Sequence, residues 1–384
     1  MGSRVSRVYN KCMRIVFAGG GTGGHFYPIL ALIREVKHIA EEERIVDMQL
    51  FLMSPSISDE SVLRDEGVVP IRVMSGKWRR YWSLLNVVDL ARLAAGSISA
   101  LWNMYLIMPD VVFSKGGYGA LPAVIAAIIL RIPLVIHESD AVPGKVNLFA
   151  ARFARRIGIA FKNAAPFFPK EKTALVGVPI RKWIFGGEER EARERLDVFS
   201  DLPVVGFIGG SQGAQKLNAA ILGVLKELTD EFEVLHQTGP VQFADVRQEA
   251  SVIVEFAHKE RYHPFGFLDP DSLRDFYRTS RVIISRAGGS AIYEIAAWGK
   301  PSILVPLAHA AQDHQRQNAY EYAAVGAAHV LEEENLTPHL LYAEIKKVLN
   351  DEASLEKMGT AAKQFARIDA AELIAREILK IGLH

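Results

Sequence analysis

Short runs of apolar residues alternate with longer amphipathic segments along the chain. In the first half these runs predict strands at Met13–Ala18, Met48–Met53, Val111–Ser114 and Leu134–His137. In the second half they predict strands at Pro203–Ile208, Glu233–Gln237, Val282–Ser285 and Ser302–Pro306. Parallel strands are covered by helices on both faces, so they lack the polar alternation of half-exposed strands. The pattern therefore predicts an α/β fold of parallel sheets with right-handed crossovers.

The same opening arrangement occurs twice, about half a chain apart. Met13–Ala18 leads through a glycine-rich turn into a helical pattern at Pro28–Glu35, and Pro203–Ile208 leads through Gly209–Ala214 into a predicted helix at Lys216–Leu228. A strand, a glycine turn and a helix are the first elements of a doubly wound sheet. The length of 384 residues also suits two domains.

A polar stretch separates the two halves. Trp183–Asp201 is rich in Glu and Arg, which makes it the best candidate for a linker. On composition alone, the domain boundary is expected between about residues 175 and 200.

Charge and cysteine content narrow the class of protein. Lys and Arg number 45 against 44 Asp and Glu, so the chain has no global attraction for a polyanion and nucleic acid is not an expected partner. Cys12 is the single cysteine, which excludes a disulfide framework and fits a reducing compartment.

No signal peptide is predicted. The most apolar stretch, Leu121–Ile136, is interrupted by Arg131 and two prolines, so no membrane-spanning helix is predicted.

The first glycine turn raises the question of a dinucleotide site. Gly19, Gly21 and Gly24 satisfy G-x-G-x-x-G, but a dinucleotide site also needs an acidic residue at the end of the second strand, and Met48–Met53 runs into Ser54 instead. A nicotinamide cofactor is therefore disfavoured, and no P-loop sequence occurs. A tight turn without a ligand would explain one such motif, but two in matched positions favour a ligand in a cleft between domains.

A third helix start follows Ser285–Ser290, ahead of the predicted helix Ala291–Trp298. Its amide groups and dipole could receive a diphosphate without a metal. Glu294 inside this helix could accept two neighbouring ribose hydroxyls, or it could simply complement the helix dipole. Gln315 and Asn318 alone are expected to be ordinary surface polar residues.

Taken together, these motifs identify a family resemblance. GGGTGGHFYPILA, SKGGYGALPA, HESDAVPGKVN, GVPIR, GGSQGA, SRAGGSAIYEIAAWGKPSILVP and DHQRQNA occur here in the order and approximate spacing of the MurG family. Members of this family are bacterial N-acetylglucosaminyltransferases that complete lipid II for peptidoglycan. The resemblance extends from Met13 to the final helix, and residues 1–12 look like an N-terminal extension outside it.

The resemblance implies a GT-B architecture, two Rossmann-like domains of mainly parallel sheet facing a central cleft. Residues 13–180 would form the acceptor and membrane side, joined by a C-terminal helix at 364–384, and residues 181–363 would bind the donor. The donor would be UDP-N-acetylglucosamine (UDP-GlcNAc). The acceptor would be lipid I, an undecaprenyl-diphosphate-linked N-acetylmuramyl (MurNAc) pentapeptide, joined through a β-1,4 bond with inversion. No metal or cofactor is implied.

The resemblance also assigns site residues. Leu268 would give backbone contacts to uracil and Glu294 would hold the ribose. The diphosphate and donor sugar would be surrounded by Gly289, Ser290, Ala291, Ile292, Tyr293, Ser211, Arg181 and Gln315, with Thr22, Gly23, Gly24 and Asp140 from the first domain. The acceptor would contact His25, Tyr118, Glu138 and Asn147.

His25 is the candidate general base, because a sugar hydroxyl is a poor nucleophile and an unperturbed imidazole titrates near neutrality. The alternative is that His25 caps the helix or orients substrate. Arg181 and the helix start near Ser290 would stabilise the leaving UDP.

Two departures from the family pattern concern the sugar contacts. His137–Asp140 reads H-E-S-D where the family usually has H-E-Q-N, and Gly177–Arg181 reads G-V-P-I-R where it usually has G-N-P-x-R. At Asp140 an amide that both donates and accepts is replaced by a carboxylate that only accepts when ionised.

An aromatic and basic segment suggests the membrane face. Aromatic and apolar residues at Met74, Trp78, Tyr81, Trp82, Leu84 and Leu85 are interleaved with Lys77, Arg79 and Arg80, and Trp102, Tyr105 and Leu106 follow. This composition suits an interfacial surface, although a helix pair with aromatics in the core would show the same periodicity. The expected location is the cytoplasmic face of the bacterial plasma membrane. The expected partners are lipid I, an anionic bilayer surface and a cell-wall synthesis complex.

Rival functions share the architecture. A diacylglycerol glycosyltransferase or a UDP-GlcNAc 2-epimerase would use the same fold, and a catalytically inert sugar-nucleotide-binding subunit would use one half of the machinery. The presence of both glycine turns and His25 in one chain argues against the inert subunit.

Overall fold

The computed structural model describes residues 12–20, 23–45, 47–57, 59–76, 85–209, 214–254, 256–308 and 311–383. Most of the expected N-terminal extension lies outside these ranges. The chain divides into two compact units. The first runs as far as Arg181 and resumes at Ile368, and the second comprises Lys182–Arg367.

The first unit is a parallel sheet with helices. Its strands are β1 (Met13–Ala18), β2 (Met48–Ser54), β3 (Val68–Arg72), β4 (Val111–Ser114), β5 (Leu134–Glu138), β6 (Arg156–Ile159) and β7 (Thr173–Leu175). They pair in parallel in the order β3-β2-β1-β4-β5-β6-β7. Its first helices are α1 (Gly23–Glu42), α2 (Glu60–Asp65), α3 (Leu85–Ile107), α4 (Leu121–Ile129) and α5 (Lys145–Ala150). The order reverses between β1 and β4, so the turns after these two strands meet at the switch point where such sheets bind ligands.

The second unit repeats the plan. Its strands are β8 (Val204–Ile208), β9 (Glu233–Gln237), β10 (Tyr262–Phe265), β11 (Val282–Ser285), β12 (Ser302–Leu304) and β13 (Ala328–Val330). They pair in parallel in the order β10-β9-β8-β11-β12-β13. Its helices are α6 (Glu189–Arg195), α7 (Gln215–Leu222), α8 (Leu225–Glu231), α9 (Phe243–Ile253), α10 (Pro270–Thr279), α11 (Gly289–Trp298), α12 (His314–Ala324), α13 (Pro338–Leu349) and α14 (Glu352–Phe365).

The predicted fold class, with two Rossmann-like parallel sheets, is confirmed. β1, β4, β9 and β11 have the predicted bounds, and every residue of β4, β5, β8, β9 and β11 is buried. Burial on both faces is the reason these strands show continuous apolar runs.

Three predicted helices have different bounds. α1 begins at Gly23, not Pro28, and contains Pro28 in its second turn. The predicted helix Lys216–Leu228 is two helices that break after Gly223, where a β-carbon would lie 2.6 Å from Cγ of Pro338. α11 begins at Gly289, not Ala291, so Gly289 belongs to the helix and Gly288 is its N-cap residue.

The polar stretch Trp183–Asp201 is not a free linker. It contains α6, which packs against α10 in the second unit. Arg195 on α6 donates from Nε and Nη2 to the carboxylate of Asp275 at 2.6 and 3.1 Å. The Glu and Arg content that suggested a linker therefore belongs to a docked helix.

The final helix, α15 (Ala370–Gly382), starts later than the expected Gln364. Gln364 and Phe365 instead end α14 in the second unit. α15 packs against α1 in the first unit, and Arg156 on β6 donates to Glu377 on α15 at 2.7 Å.

Candidate active site

His25 lies in the first turn of α1, directly after the switch-point strand β1. It is half-buried and packs against the turn after β4, where a β-carbon on Gly117 would lie 3.3 Å from Cε1 of the imidazole. His25 is the third residue of α1, so it lies within the first turn and does not precede the helix as an N-cap residue would. Thr22 lies outside the described residues, and Gly23 and Gly24 form the start of the same helix.

The turn after β4 supports two predicted site residues. Gly116 and Gly117 have φ of 81° and 75°, which L side chains rarely adopt. Asn147 packs over Gly116, where a β-carbon would lie 2.6 Å from its Nδ2, and His25 packs over Gly117. The two glycines thereby bring the imidazole and the amide to neighbouring positions on one backbone segment.

Glu138 ends β5 and is buried beside this turn. Its carboxylate accepts from Asp140 N at 3.1 Å, Gly144 N at 2.9 Å and Asn147 Nδ2 at 2.9 Å. Asn147 Nδ2 also donates to the carbonyl of His137 at 3.0 Å. Burial raises the pKa of Glu138, the charge of Asp140 adds to this, and the three hydrogen bonds oppose it. Glu138 therefore fixes both Asn147 and the loop that carries Asp140.

Two buried basic groups at this site were missed by the sequence interpretation. Lys115 is completely buried between β1 and β5, and its ammonium makes no hydrogen bond to the described atoms. Burial lowers the pKa of Lys115 to about 8, and the charges of Glu138 and Asp140 oppose the shift. His137 is also buried; burial and the charge of Lys115 lower its pKa, although its Nε2 lies 2.7 Å from the carbonyl of Gly177. The sequence did contain a signal for Lys115, because this lysine directly follows the apolar run of β4.

Tyr118 and Arg181 also belong to this unit. The carbonyl of Tyr118 accepts from Ser75 Oγ at 2.6 Å, which holds the turn after β4. Arg181 is buried, and its guanidinium lies 4.4 Å from the ring centroid of Tyr27 on α1. Arg181 is the last residue of this part of the first unit, whereas the expected boundary placed it in the second domain.

Replacing Gly116 with alanine tests this arrangement. The new β-carbon would displace Asn147 and also strain a backbone at φ of 81°. We expect turnover to fall by about ten-fold or more, since Asn147 and His25 share this turn. The matched control is Gly67→Ala, because Gly67 has φ of 65° with nothing near its β-carbon position. Both changes should lower the melting temperature; equal turnover in the two variants would contradict the assignment.

In the second unit, α11 begins directly after Gly288 at the switch point between β8 and β11. Its first turn contains no acidic residue, and Gly288 provides no side-chain cap. A helix start of this kind, here Gly289, Ser290 and Ala291, is the type of position at which backbone amides and the helix dipole favour an anion. Ile292 and Tyr293 are the next two residues of α11. Their side chains are buried, and the amide of Ile292 already donates to the carbonyl of Gly288 at 3.0 Å.

Glu294 is half-buried on α11 and accepts from the hydroxyl of Tyr277 at 3.1 Å. Tyr277 in turn stacks on Trp298, with ring centroids 6.3 Å apart. Because Glu294 lies beyond the first turn, a role limited to complementing the helix dipole is excluded. Leu268 is buried directly before Asp269, which caps α10, and Ser211 lies outside the described residues.

Gln315 and Asn318 on α12 have different surroundings. Gln315 Oε1 accepts from the amide of Leu307 at 3.0 Å. Asn318 is completely buried and donates to the carbonyl of Ala287 at 3.1 Å, so the expectation of a surface residue was wrong. This bond ties α12 to the turn before α11. Within the described ranges, no group of three His, Cys, Asp or Glu residues is arranged to hold a metal ion.

Comparison with known proteins identifies the class. The Glycosyltransferase family 28 N-terminal domain matches residues 15–159, and the Glycosyltransferase family 28 C-terminal domain matches residues 204–374. Over 384 aligned residues, the chain is 33% identical to the UDP-N-acetylglucosamine–N-acetylmuramyl-(pentapeptide) pyrophosphoryl-undecaprenol N-acetylglucosamine transferase of Treponema pallidum, covering 98% of this chain and 97% of that protein.

Solved structures support the same architecture. The crystal structure of Acinetobacter baumannii MurG matches with a TM-score of 0.71 at 24% identity, covering 96% of this chain and 99% of that one. The UDP-GlcNAc 2-epimerase of Neisseria meningitidis bound to UDP-GlcNAc matches with a TM-score of 0.65 at 14% identity, covering 96% and 100%.

These findings make the chain a GT-B glycosyltransferase of family 28. Within that class, the chain belongs to the MurG family.

Proposed function

We propose that this enzyme transfers N-acetylglucosamine from UDP-GlcNAc to the C4 hydroxyl of MurNAc in lipid I, with inversion, to give lipid II. The observation that carries the proposal is the 33% identity over 98% of the chain to a transferase named for this reaction. The two switch-point sites are consistent with it, because one offers a half-buried imidazole and the other offers the start of a helix without an acidic residue in its first turn.

The donor is assigned to the second unit. The amides of Gly289, Ser290 and Ala291 receive the diphosphate, with Ile292 and Tyr293 holding the helix in the core. Glu294 accepts the ribose hydroxyls, and the backbone at Leu268 contacts uracil. Gln315 contacts the sugar, and Ser211 is assigned to the diphosphate by resemblance alone.

The acceptor and the transferred sugar are assigned to the first unit. His25 removes the proton from the attacking hydroxyl, and Tyr118 and Asn147 orient the acceptor. Glu138 acts with them by fixing Asn147. Thr22, Gly23, Gly24 and Asp140 approach the transferred sugar, and Arg181 stabilises the charge that develops on UDP.

The requirement for two substrates tests the proposal. UDP release should depend on both UDP-GlcNAc and a lipid I analogue, because the acceptor hydroxyl is the nucleophile. A 2-epimerase would convert the donor alone, and an inert binding subunit would release no UDP under either condition. UDP release without any acceptor, or with diacylglycerol and not with the lipid I analogue, would contradict the proposal.

The membrane surface is assigned to the outer face of α3. Ile98, Trp102, Tyr105 and Leu106 recur at helical spacing and are each about 60 to 70% exposed. These described residues are thus exposed, and they do not form the core of a helix pair. Met74 is also exposed, whereas the part of the patch at 77–84 lies outside the described residues. No helix in the described ranges is long and apolar enough to cross a bilayer.

Basic side chains lie close to α4, the helix that packs against α3. A cavity of about 600 Å³ at the end of α4 is lined by apolar residues together with four basic residues, Arg131, Arg155, Arg156 and Lys172, and one acidic residue, Glu171. Exposed apolar residues and basic groups on one unit suit peripheral binding to an anionic bilayer. We assign this surface to the cytoplasmic face of the plasma membrane, where a cell-wall synthesis complex would be a further partner.

Replacing Trp102 with glutamate should weaken binding to phosphatidylglycerol vesicles by about ten-fold, because it removes apolar area that the bilayer would bury and adds a charge that the anionic surface repels. Cosedimentation measures the affinity, and added salt should weaken binding of the wild type. The control is Phe199→Glu, since Phe199 is 76% exposed in the second unit. Equal vesicle affinity in the two variants would argue against this surface.

A further inference from the structure

Glu333 is a buried carboxylate just after β13, at the edge of the second sheet where the strands end. It contacts three separate segments of the second unit. Its Oε1 accepts from Arg286 Nη2, its Oε2 accepts from Ala308 N at 3.1 Å, and Lys216 Nζ lies 3.9 Å from Oε2. Two of these contacts involve segments assigned to the donor, because Arg286 precedes the start of α11 and Ala308 lies in the loop before α12.

The contact with Arg286 fixes the turn before α11. Arg286 follows β11 directly and is buried, and its Nη1 donates to the carbonyl of Val305 after β12 at 3.2 Å. The guanidinium therefore connects the carbonyl of Val305 with the carboxylate of Glu333. Gly288, the residue that precedes the anion-binding amides of α11, lies only two positions further along the chain.

The contact with Ala308 fixes the loop before α12. The preceding residue, Leu307, donates its amide to Gln315, so two adjacent amides are held by two different side chains. Gln315 is the residue assigned to the donor sugar. The position of Glu333 thus determines the distance between the loop that carries this glutamine and the turn that carries the helix amides.

The carboxylate is suited to remain ionised in this position. Burial raises the pKa of Glu333, but the hydrogen bonds from Arg286 and Ala308 and the charges of Arg286 and Lys216 outweigh it, so the pKa lies below its usual value. The ionised carboxylate offers one oxygen to each segment, whereas an amide of the same size has one oxygen and an NH2 group that only donates.

We propose that Glu333 is a positioning residue for the sugar nucleotide, which holds the turn before α11 and the loop before α12 at the spacing that the donor needs. It acts through Arg286 and Ala308 and does not itself contact the donor. The inference rests on the proposed function, because it assumes that UDP-GlcNAc binds to these two segments.

The test replaces Glu333 with glutamine and measures UDP binding by calorimetry. The dissociation constant should rise about ten-fold, and the KM for UDP-GlcNAc should rise with it, whereas kcat at saturating donor and the acceptor KM should change less. A contact that served stability alone would lower the melting temperature without this split between KM and kcat. The matched control is Glu334→Gln, because Glu334 is the neighbouring residue and is exposed.

Glu333→Asp provides a second variant that keeps the charge near Arg286. Its carboxylate is one methylene shorter and cannot span both segments, so UDP affinity should fall between those of the wild type and Glu333→Gln. The calorimetric stoichiometry counts folded molecules, so affinity is measured on the folded fraction alone. Wild-type affinity in both variants would overturn the inference and leave the proposed function intact. Failure of the wild type to bind UDP would contradict the proposed function itself.

Discussion

His25→Ala lowers the turnover number by about 100-fold to 10,000-fold in our account, with little change in the affinity for UDP. The imidazole lies in the first turn of α1 against Gly117, beside the amide of Asn147, and is the group assigned to accept the proton of the attacking hydroxyl. UDP is assigned to residues of the second unit, so removal of the imidazole leaves those contacts in place. Steady-state kinetics with a lipid I analogue and calorimetry with UDP measure the two quantities.

His38→Ala is the matched control for this prediction. His38 lies on the same helix, and its exposed imidazole contacts Glu42 at 3.4 Å. We expect near-normal turnover from this variant. If His25→Ala also turned over at a near-normal rate, His25 would not be the base, and a nearby carboxylate would have to take that role.

Glu294→Ala is expected to raise the KM for UDP-GlcNAc by about 100-fold or more. Two hydrogen bonds from ribose hydroxyls to a carboxylate contribute roughly 1.5 to 3 kcal/mol each, and removal of the carboxylate forfeits both. The variant also deprives the Tyr277 hydroxyl of its acceptor. Tyr277→Phe separates the two effects, because it keeps the carboxylate and removes only the donor that orients it, so a smaller loss is expected.

The ribose contact can be isolated with a changed ligand. The wild type should bind UDP more tightly than 2′-deoxy-UDP, and Glu294→Ala should bind the two with similar affinity. Calorimetry on both proteins with both ligands completes the cycle. A wild type that does not distinguish the two nucleotides would remove the ribose assignment from Glu294.

The strands could be predicted from the sequence because burial on both faces leaves a local signal. β1, β4, β9 and β11 have the bounds that their apolar runs predict. The helix ends could not be predicted as well, since tertiary contacts decide them. At the break, for example, Gly223 lies so close to Pro338 that a side chain would not fit, and Pro338 is more than a hundred residues away in the chain.

Charged residues were the main source of error. The Glu and Arg content of Trp183–Asp201 is typical of a linker, but the bidentate contact of Arg195 with Asp275 docks it as α6. Lys115 follows an apolar run and was not assigned a role. It directly follows β4, and its burial depends on β1 and β5, which are distant in the sequence but flank β4 in the sheet.

The site residues were predicted mainly through the family resemblance. Position in the chain placed His25 and Glu294 near helix starts, but only the fold brings Gly116 and Gly117 beneath Asn147 and His25. Glu333 does not lie in any of the sequence motifs. Its importance follows from the three segments that meet at its carboxylate, and these come together only in the folded sheet.

The identity of the bond formed tests the central claim most directly. Isotopically labelled UDP-GlcNAc is incubated with the protein and a lipid I analogue, and the product is analysed by nuclear magnetic resonance. Our account predicts one new β-linked N-acetylglucosamine attached to C4 of MurNAc, with release of one UDP for each bond. An α linkage, attachment at another hydroxyl, or labelled sugar recovered only as its 2-epimer would contradict it.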